Sequence, residues 1–207
     1  TKNHRGSGSK GGKGRAGSHK HKYSKYLGQF GRFQTLKPKI SKEDARAIIK
    51  TSFQCLTRID DSRAVRSRMT LEEIKNILNR KEISTGIIGG VLNIFRLQGN
   101  TFLKPFITNY DSSFHLKPGD VLDITHESLI RNWGLLTQWA QEEHENYLNW
   151  LDFFKQLKRW VDSGKKKGYL LPIGPLTFFE KWYNECKPNK YWLARYDETK
   201  LSEEEKL

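Results

Sequence analysis

The stretch VLDITHESLIRNWGLLTQW, residues 121–139, decides how the chain is organised. An apolar segment typical of a strand ends at Thr125, and leucine, isoleucine and tryptophan then recur at helical spacing. His126 and Glu127 stand side by side at this strand-to-helix junction. The pair therefore raises four interpretations: a metal site, a catalytic couple, a nucleotide contact or only a capped helix start.

The residues around the pair argue against metal binding and catalysis. A zinc-protease helix carries the pattern HExxH, but Ile130 occupies the position of the second histidine, and His144 lies eighteen residues from His126. Adjacent side chains on a helix point about 100° apart, so His126 and Glu127 do not form a catalytic couple. We expect no metal site, no catalytic residue and no cofactor, and we expect that the chain is not an enzyme.

Two interpretations of the pair stay open. In the first, Thr125 caps the helix, Glu127 favours its N-terminus and His126 makes a buried polar contact. In the second, the pair contacts a nucleotide that another domain binds, because an imidazole N–H can donate to a phosphate oxygen.

Residues 1–40 form a separate basic segment. They hold 11 Lys and Arg and no Asp or Glu, so that only +3 of the net charge of +14 belongs to the rest of the chain. This tail is rich in glycine and poor in aliphatic residues, so it is predicted to be disordered. It could be a linker, or it could bind RNA through contacts with phosphates and bases. The candidate RNA-binding residues are Arg5, Lys10, Lys13, Arg15, Lys20, Lys22, Tyr23, Lys25 and Tyr26.

Residues 41–125 carry signals in the order helix, strand, helix, helix, strand, strand. Candidate N-caps precede the three helices at Ser41, Thr70 and Ser84, and Glu73 completes a capping box with Thr70. A short extended segment surrounds Val65, and TFLKPFI and DVLDITH read as the last two strands.

This order of elements is that of a winged helix. The third predicted helix, residues 84–98, has Arg96 as its only basic residue, whereas a helix that reads a DNA groove needs several polar side chains. We therefore expect a winged helix that faces protein or is structural, rather than one that reads DNA.

The remaining residues, 126–207, predict a helical domain. An apolar stripe runs along one helix or two consecutive helices, interrupted at Glu143, and two shorter helices follow the break DSGKKKG. The fold class is thus mainly α with a small β wing: a disordered basic tail (1–40), a winged-helix-like domain (41–125) and a helical bundle (126–207).

Four stretches resemble the C-terminal part of STAND-class ATPases, the signal-transduction ATPases with numerous domains. They are FQCLTRIDDSRAVRSRMTLEEI, VLNIFRLQGNTFLKP, DVLDITHESLIRNWGLLTQWAQEE and KPNKYWLARY, within residues 46–197. In that class a winged-helix domain folds back over the bound nucleotide, and a histidine at its end can touch the diphosphate. The resemblance implies that His126, with Glu127, senses the nucleotide of an ATPase core.

The chain contains neither the P-loop nor the Walker B strand of that class. The resemblance therefore implies a non-enzymatic regulatory module that couples a nucleotide switch to sensor repeats. Its expected partners are the ATPase core and the sensor repeats of a parent STAND protein.

A second resemblance concerns the tail. RGSGSKGGKGRAGSHKHKYSKY is similar to the N-terminal extension of a large-subunit ribosomal protein, which implies RNA binding and gives a ribosome-associated protein as the alternative function. A winged-helix DNA-binding regulator is the third. Two distant cysteines and no apolar run of about 18 residues predict a cytoplasmic protein without a membrane partner.

Overall fold

The structure, a computed structural model, describes residues 40–60, 63–97, 99–108 and 115–196. The nine candidate RNA-binding residues of the tail lie outside the described residues. The predicted disorder of the tail and its ribosomal resemblance therefore stay predictions.

The described residues are mainly helical, with two small antiparallel sheets. The α-helices are α1 (Lys42–Cys55), α2 (Leu71–Leu78), α3 (Thr85–Leu92), α4 (Glu127–Asn132), α5 (Gly134–Asp162), α6 (Ile173–Cys186) and α7 (Lys190–Ala194). The strands are β1 (Thr57–Asp60), β2 (Arg63–Arg66), β3 (Arg68–Thr70), β4 (Leu103–Lys104) and β5 (Val121–Ile124).

The first three helices begin where the sequence predicts. The hydroxyl of Ser41 accepts a hydrogen bond from a backbone N–H in the first turn of α1, and Ser84 does the same for α3. Thr70 and Glu73 form the predicted capping box, with the N–H of Thr70 donating to the Glu73 carboxylate at 2.7 Å. Because such caps satisfy N–H groups that the helix leaves unpaired, they set the helix starts locally.

The strands form a hairpin and a three-stranded sheet. β1 pairs with β2, and β5 lies between β3 and β4, antiparallel to both. The predicted pairing partners β4 and β5 are confirmed as strands, as is the extended segment around Val65 in β2. β1 and β3 are not predicted, because each is short and carries only one apolar side chain, Ile59 in β1 and Met69 in β3.

The third helix is shorter than predicted. α3 ends at Leu92 and continues as a 3-10 turn, Asn93–Phe95. Arg96 is buried, and its guanidinium donates to the Asn93 side chain at 2.5 Å and to the carbonyl of Pro105 at 2.6 Å. The bond to Pro105 ties Arg96 to the segment that follows β4, so the chain leaves the helical path after Phe95.

The main core joins the sheet and the first three helices to α4 and the start of α5. Its centre is Phe53, whose ring centroid lies 5.0 Å from that of Phe95, 5.1 Å from Trp133 and 6.4 Å from Trp139. Edge-to-face contacts of this kind stabilise beyond the area they bury. Residues on both sides of position 125 thus share one core; the predicted domain boundary there stays a prediction.

A second cluster of aromatic side chains lies towards the C-terminus. It is formed by Trp150, Phe179, Trp182 and Trp192, from α5, α6 and α7. Within the described parts of the chain, no helix combines the length and the apolar character that crossing a bilayer requires.

Replacing Phe53 tests the main core. Phe53→Ala should lower the free energy of unfolding by about 3–5 kcal/mol, because it removes the ring that contacts three other aromatic side chains. Urea unfolding followed by tryptophan fluorescence measures this loss. Leu148→Ala is the control, since Leu148 is 49% exposed on α5; equal losses in both variants would contradict the description of this core.

Candidate functional site at the strand-to-helix elbow

The candidate site lies where β5 passes into the helices. We call residues 121–133 the elbow. The strand ends at Ile124, α4 runs from Glu127 to Asn132, and Trp133 separates it from α5. The helical region after Thr125 is thus two consecutive helices, one of the two arrangements that the sequence predicts.

Thr125 holds the elbow to the neighbouring strand rather than capping the helix. Its hydroxyl donates to the carbonyl of Thr101 at 2.8 Å, and its backbone N–H donates to the carbonyl of Phe102 at 2.9 Å. The prediction that Thr125 caps the helix is therefore wrong. The N-cap residue is His126, and its side chain makes no capping hydrogen bond.

His126 is exposed, so the alternative prediction of a buried polar contact for its side chain is also wrong. The backbone there is extended, and Leu129 and Ile130 bury the inner face of α4 in the main core. Glu127 is half-buried, and its carboxylate lies 3.5 Å from the guanidinium of Arg131 one turn later. The elbow thus presents an imidazole to solvent from a backbone that is fixed on the strand side and on the helix side.

Two arginines from the hairpin and β3 reach the elbow. Arg66 donates to the carbonyl of Ile124 at 3.0 Å and to that of Thr125 at 3.4 Å. Arg68 donates to the carboxylate of Asp123 at 3.1 Å, and Arg66 lies 3.6 Å from the same oxygen. Because Asp123 is buried beneath both guanidinium groups, it draws the hairpin onto the elbow.

The charges around the elbow favour an anion. Three arginines, at positions 66, 68 and 131, face two carboxylates, those of Asp123 and Glu127, which leaves one positive charge in excess. Guanidinium and imidazole N–H groups are suitable donors to phosphate oxygens. The residues that the structure describes contain no group of three or more His, Cys, Asp and Glu placed to hold a metal ion.

A second polar cluster surrounds Glu143, and the sequence does not predict it. The Glu143 carboxylate accepts hydrogen bonds from Trp192 at 2.6 Å, from Arg195 at 2.5 Å and from Tyr196 at 2.8 Å. Burial, with the added effect of Glu143, raises the pKa of the Tyr196 hydroxyl well above its usual range. The only signal for this cluster in the sequence was an acidic residue inside an apolar stripe.

Arg195 extends this cluster to the first helix. Its guanidinium also donates to the carbonyls of Gln54 at 2.8 Å and Thr57 at 3.0 Å. Both charged side chains are less than a tenth exposed. We call Glu143, Trp192, Arg195 and Tyr196 the Glu143 clamp, because together they hold the C-terminal segment against α1 and α5.

A cleft of about 400 Å³ lies beside the clamp. Among its lining groups, Lys50 pairs with Glu142 at 2.7 Å and Arg80 pairs with Asp44. Cys55 also lines the cleft, and burial raises the pKa of its thiol to about 12, so the thiol is protonated at neutral pH and is a poor nucleophile. The cleft therefore offers no activated thiol at Cys55.

A family model for NTPases of the STAND class matches residues 34–168, more than half of the chain. Its description is Novel STAND NTPase 1, and the chain belongs to this family. The match contains three of the four stretches that carry the resemblance, including the elbow, and it ends before the fourth, at 187–196. No curated protein and no solved structure matches the chain.

The clamp predicts different roles for two adjacent glutamates. Glu143→Ala should lower the free energy of unfolding by about 3 kcal/mol, because it leaves the buried Arg195 charge uncompensated. Glu142→Ala should cost about 0.5 kcal/mol, since its ion pair with Lys50 is partly exposed. Urea unfolding compares them, and hydrogen exchange of residues 187–196 reports the release of the C-terminal helix; similar effects in the two variants would contradict the clamp.

Proposed function

We propose that this chain is a non-enzymatic regulatory module of a STAND-type protein. In this proposal His126 contacts a phosphate of the nucleotide that an ATPase core binds, and the module passes the nucleotide state on to sensor repeats. The observation that carries the proposal is the exposed imidazole on the fixed backbone of the elbow. Glu127 lies 3.5 Å from Arg131 one turn later, and the excess positive charge of the elbow favours a diphosphate.

We also propose that residues 41–125 form a winged helix that faces protein. Apart from the β1–β2 hairpin, which is inserted after α1, the order α1, β3, α2, α3, β4, β5 supports this, as does the central position of β5 between β3 and β4. α3 has the sequence TGIIGGVL, without a side chain that reads base edges, and Arg96 is buried. These features favour a protein-facing role over DNA reading.

The contacts of the elbow suggest how a signal is transmitted. Thr137 donates from α5 to the carbonyl of Ile130 in α4 at 2.6 Å, and Trp133 is packed in the main core. A displacement of His126 would therefore move α4 and α5 together. Because α5 has 29 residues, it is about 43 Å long, and a small rotation at its N-terminus would displace its C-terminal end by several ångströms. A rigid-body rotation of this kind is a common switching mode.

The test compares ADP release from a STAND ATPase core joined to this chain. His126→Ala should accelerate ADP release about 10- to 100-fold, which corresponds to the loss of one charge-assisted hydrogen bond. Ser128→Ala, another exposed residue at the start of α4, is the matched control and should leave the release rate unchanged. Stopped-flow fluorescence of a labelled ADP measures both rates.

Two further results decide the proposal. Because His126 is exposed, His126→Ala should change the stability of the 207-residue chain by no more than about 0.5 kcal/mol. The chain alone should bind no labelled ADP. A large loss of stability, tight ADP binding by the isolated chain or an unchanged release rate in the variant would each contradict the proposed role of His126.

A second candidate function is RNA binding through the tail. Its support is the sequence observation that residues 1–40 hold 11 basic and no acidic residues. Deletion of residues 1–39 should abolish RNA binding measured by filter retention, and the binding of the full chain should weaken steeply with salt because phosphate contacts release counterions. Equal RNA affinity with and without the tail would contradict this candidate.

A further inference from the structure

One segment of the C-terminal part is exposed on nearly all sides. Of residues 164–178, every one except Leu171 is exposed, including the first six residues of α6. No non-neighbouring atom among the described residues lies within 4 Å of the place where a Cβ would stand on Gly168 or Gly174. We call residues 164–178 the arm. None of its residues lines the cleft beside the Glu143 clamp.

The arm exposes large apolar side chains. Ile173 is 79% exposed, Leu170 and Tyr169 are each 56% exposed, and Phe178 and Leu176 are 53% and 46% exposed. Contiguous exposed apolar surface of this kind commonly marks an interaction site. The arm is nevertheless firmly attached, because Leu171 and Phe179 pack into the second aromatic cluster.

The arm is also purely basic. Residues 163–179 include Lys165, Lys166 and Lys167 and contain no Asp or Glu. All three lysines are exposed, and the Lys165 ammonium group lies 5.6 Å from the centre of the Trp160 ring. Three positive charges therefore directly precede the exposed apolar residues in the sequence. A partner that fits the arm should have a negatively charged surface and an apolar region that accepts aliphatic side chains.

We propose that the arm is a peripheral binding site for a membrane surface containing anionic lipids. Lysines near such a surface are attracted to lipid phosphates, tyrosine is favoured at the level of the headgroups, and exposed aliphatic side chains gain by entering the acyl boundary. In the arm, Lys165–Lys167 would attract the lipid phosphates and Tyr169 would lie among the headgroups. Leu170 and Ile173 would enter the acyl boundary.

The composition of the arm favours lipid over the other negatively charged partners. RNA-binding surfaces present flat rings on which bases stack, and the arm exposes two rings, those of Tyr169 and Phe178. Its other three exposed apolar side chains, including the most exposed one, Ile173, are aliphatic and offer no ring for stacking. A peptide partner usually docks into a groove, and the cleft beside the clamp has no residue of the arm in its lining. This peripheral contact requires no membrane-spanning helix, and it departs from the expectation that the chain has no membrane partner.

The proposal rests on residues that take no part in the elbow. The arm lies beyond the C-terminal end of α5, whereas the elbow lies before its N-terminal end, and the helix between them has 29 residues. Membrane binding and nucleotide sensing can therefore succeed or fail independently.

Vesicle co-sedimentation of the full chain tests the proposal. We expect binding to vesicles of phosphatidylcholine mixed with phosphatidylserine, and much weaker binding to phosphatidylcholine alone. The double variant Leu170→Ser with Ile173→Ser should lower the partition coefficient at least about tenfold, since it removes the side chains that enter the bilayer. Replacing Lys165, Lys166 and Lys167 together by Gln should lower it by a similar factor.

The control replaces two aliphatic residues elsewhere that are each about half exposed. Val121→Ser with Leu148→Ser changes side chains that are 51% and 49% exposed, and it should keep the wild-type partition coefficient. The basic tail is identical in all four proteins, so its own attraction to anionic lipid cancels in the comparison. Circular dichroism checks that each variant keeps its helix content.

Three outcomes would overturn the proposal. Unchanged binding of the Leu170 and Ile173 variant would assign the attraction to the tail. Equal binding to neutral and anionic vesicles would remove the role of the lysines. Self-association of the wild-type chain that the same variant abolishes, without vesicle binding, would assign the arm to a second copy of the chain.

Discussion

The burial of Phe53 among Phe95, Trp133 and Trp139 is the constraint on which the rest of the structure depends. This one ring joins α1 to the turn after α3 and to the tryptophans on either side of the start of α5. Because Trp133 separates α4 from α5, its position in the core fixes the direction in which both helices leave the sheet. The elbow is therefore a consequence of core packing, and His126 is exposed because Leu129 and Ile130 are drawn inwards.

Polar contacts then hold the helices and strands in the positions that the aromatic core gives them. Arg66 and Arg68 hold the hairpin and β3 to Asp123 and to the backbone of the elbow, and the Glu143 clamp holds the C-terminal helix to α1. The two sets of contacts meet in the hairpin, because Thr57, whose carbonyl accepts from Arg195, is paired with Arg66 across β1 and β2. A movement imposed at the elbow would thus reach the C-terminal segment through packed and hydrogen-bonded groups, as a regulatory module requires.

The parts of this structure that the sequence predicts are those that depend on near neighbours. Ser41, Ser84 and the pair Thr70–Glu73 cap helices through contacts three residues away, so their pattern is visible in the chain. Thr125 has the composition of a cap, but its hydroxyl is taken by Thr101, 24 residues earlier.

Long-range contacts explain the other differences. Arg96 shortens α3 by donating to Pro105, and Arg195 reaches Glu143 across 52 residues, so no local pattern announces either contact. For the same reason the sequence marks His126 and Glu127 as a candidate pair but does not reveal that Arg66 supports the backbone beside them.

The central claim is that His126 of this chain contacts the nucleotide of an ATPase core. The rate at which diethylpyrocarbonate modifies His126, followed by mass spectrometry with His144 as the internal reference, tests it most directly. In a STAND ATPase core joined to this chain, the account predicts that ADP protects His126 at least about tenfold and leaves His144 unchanged. Modification of His126 at the same rate with and without ADP would contradict the account.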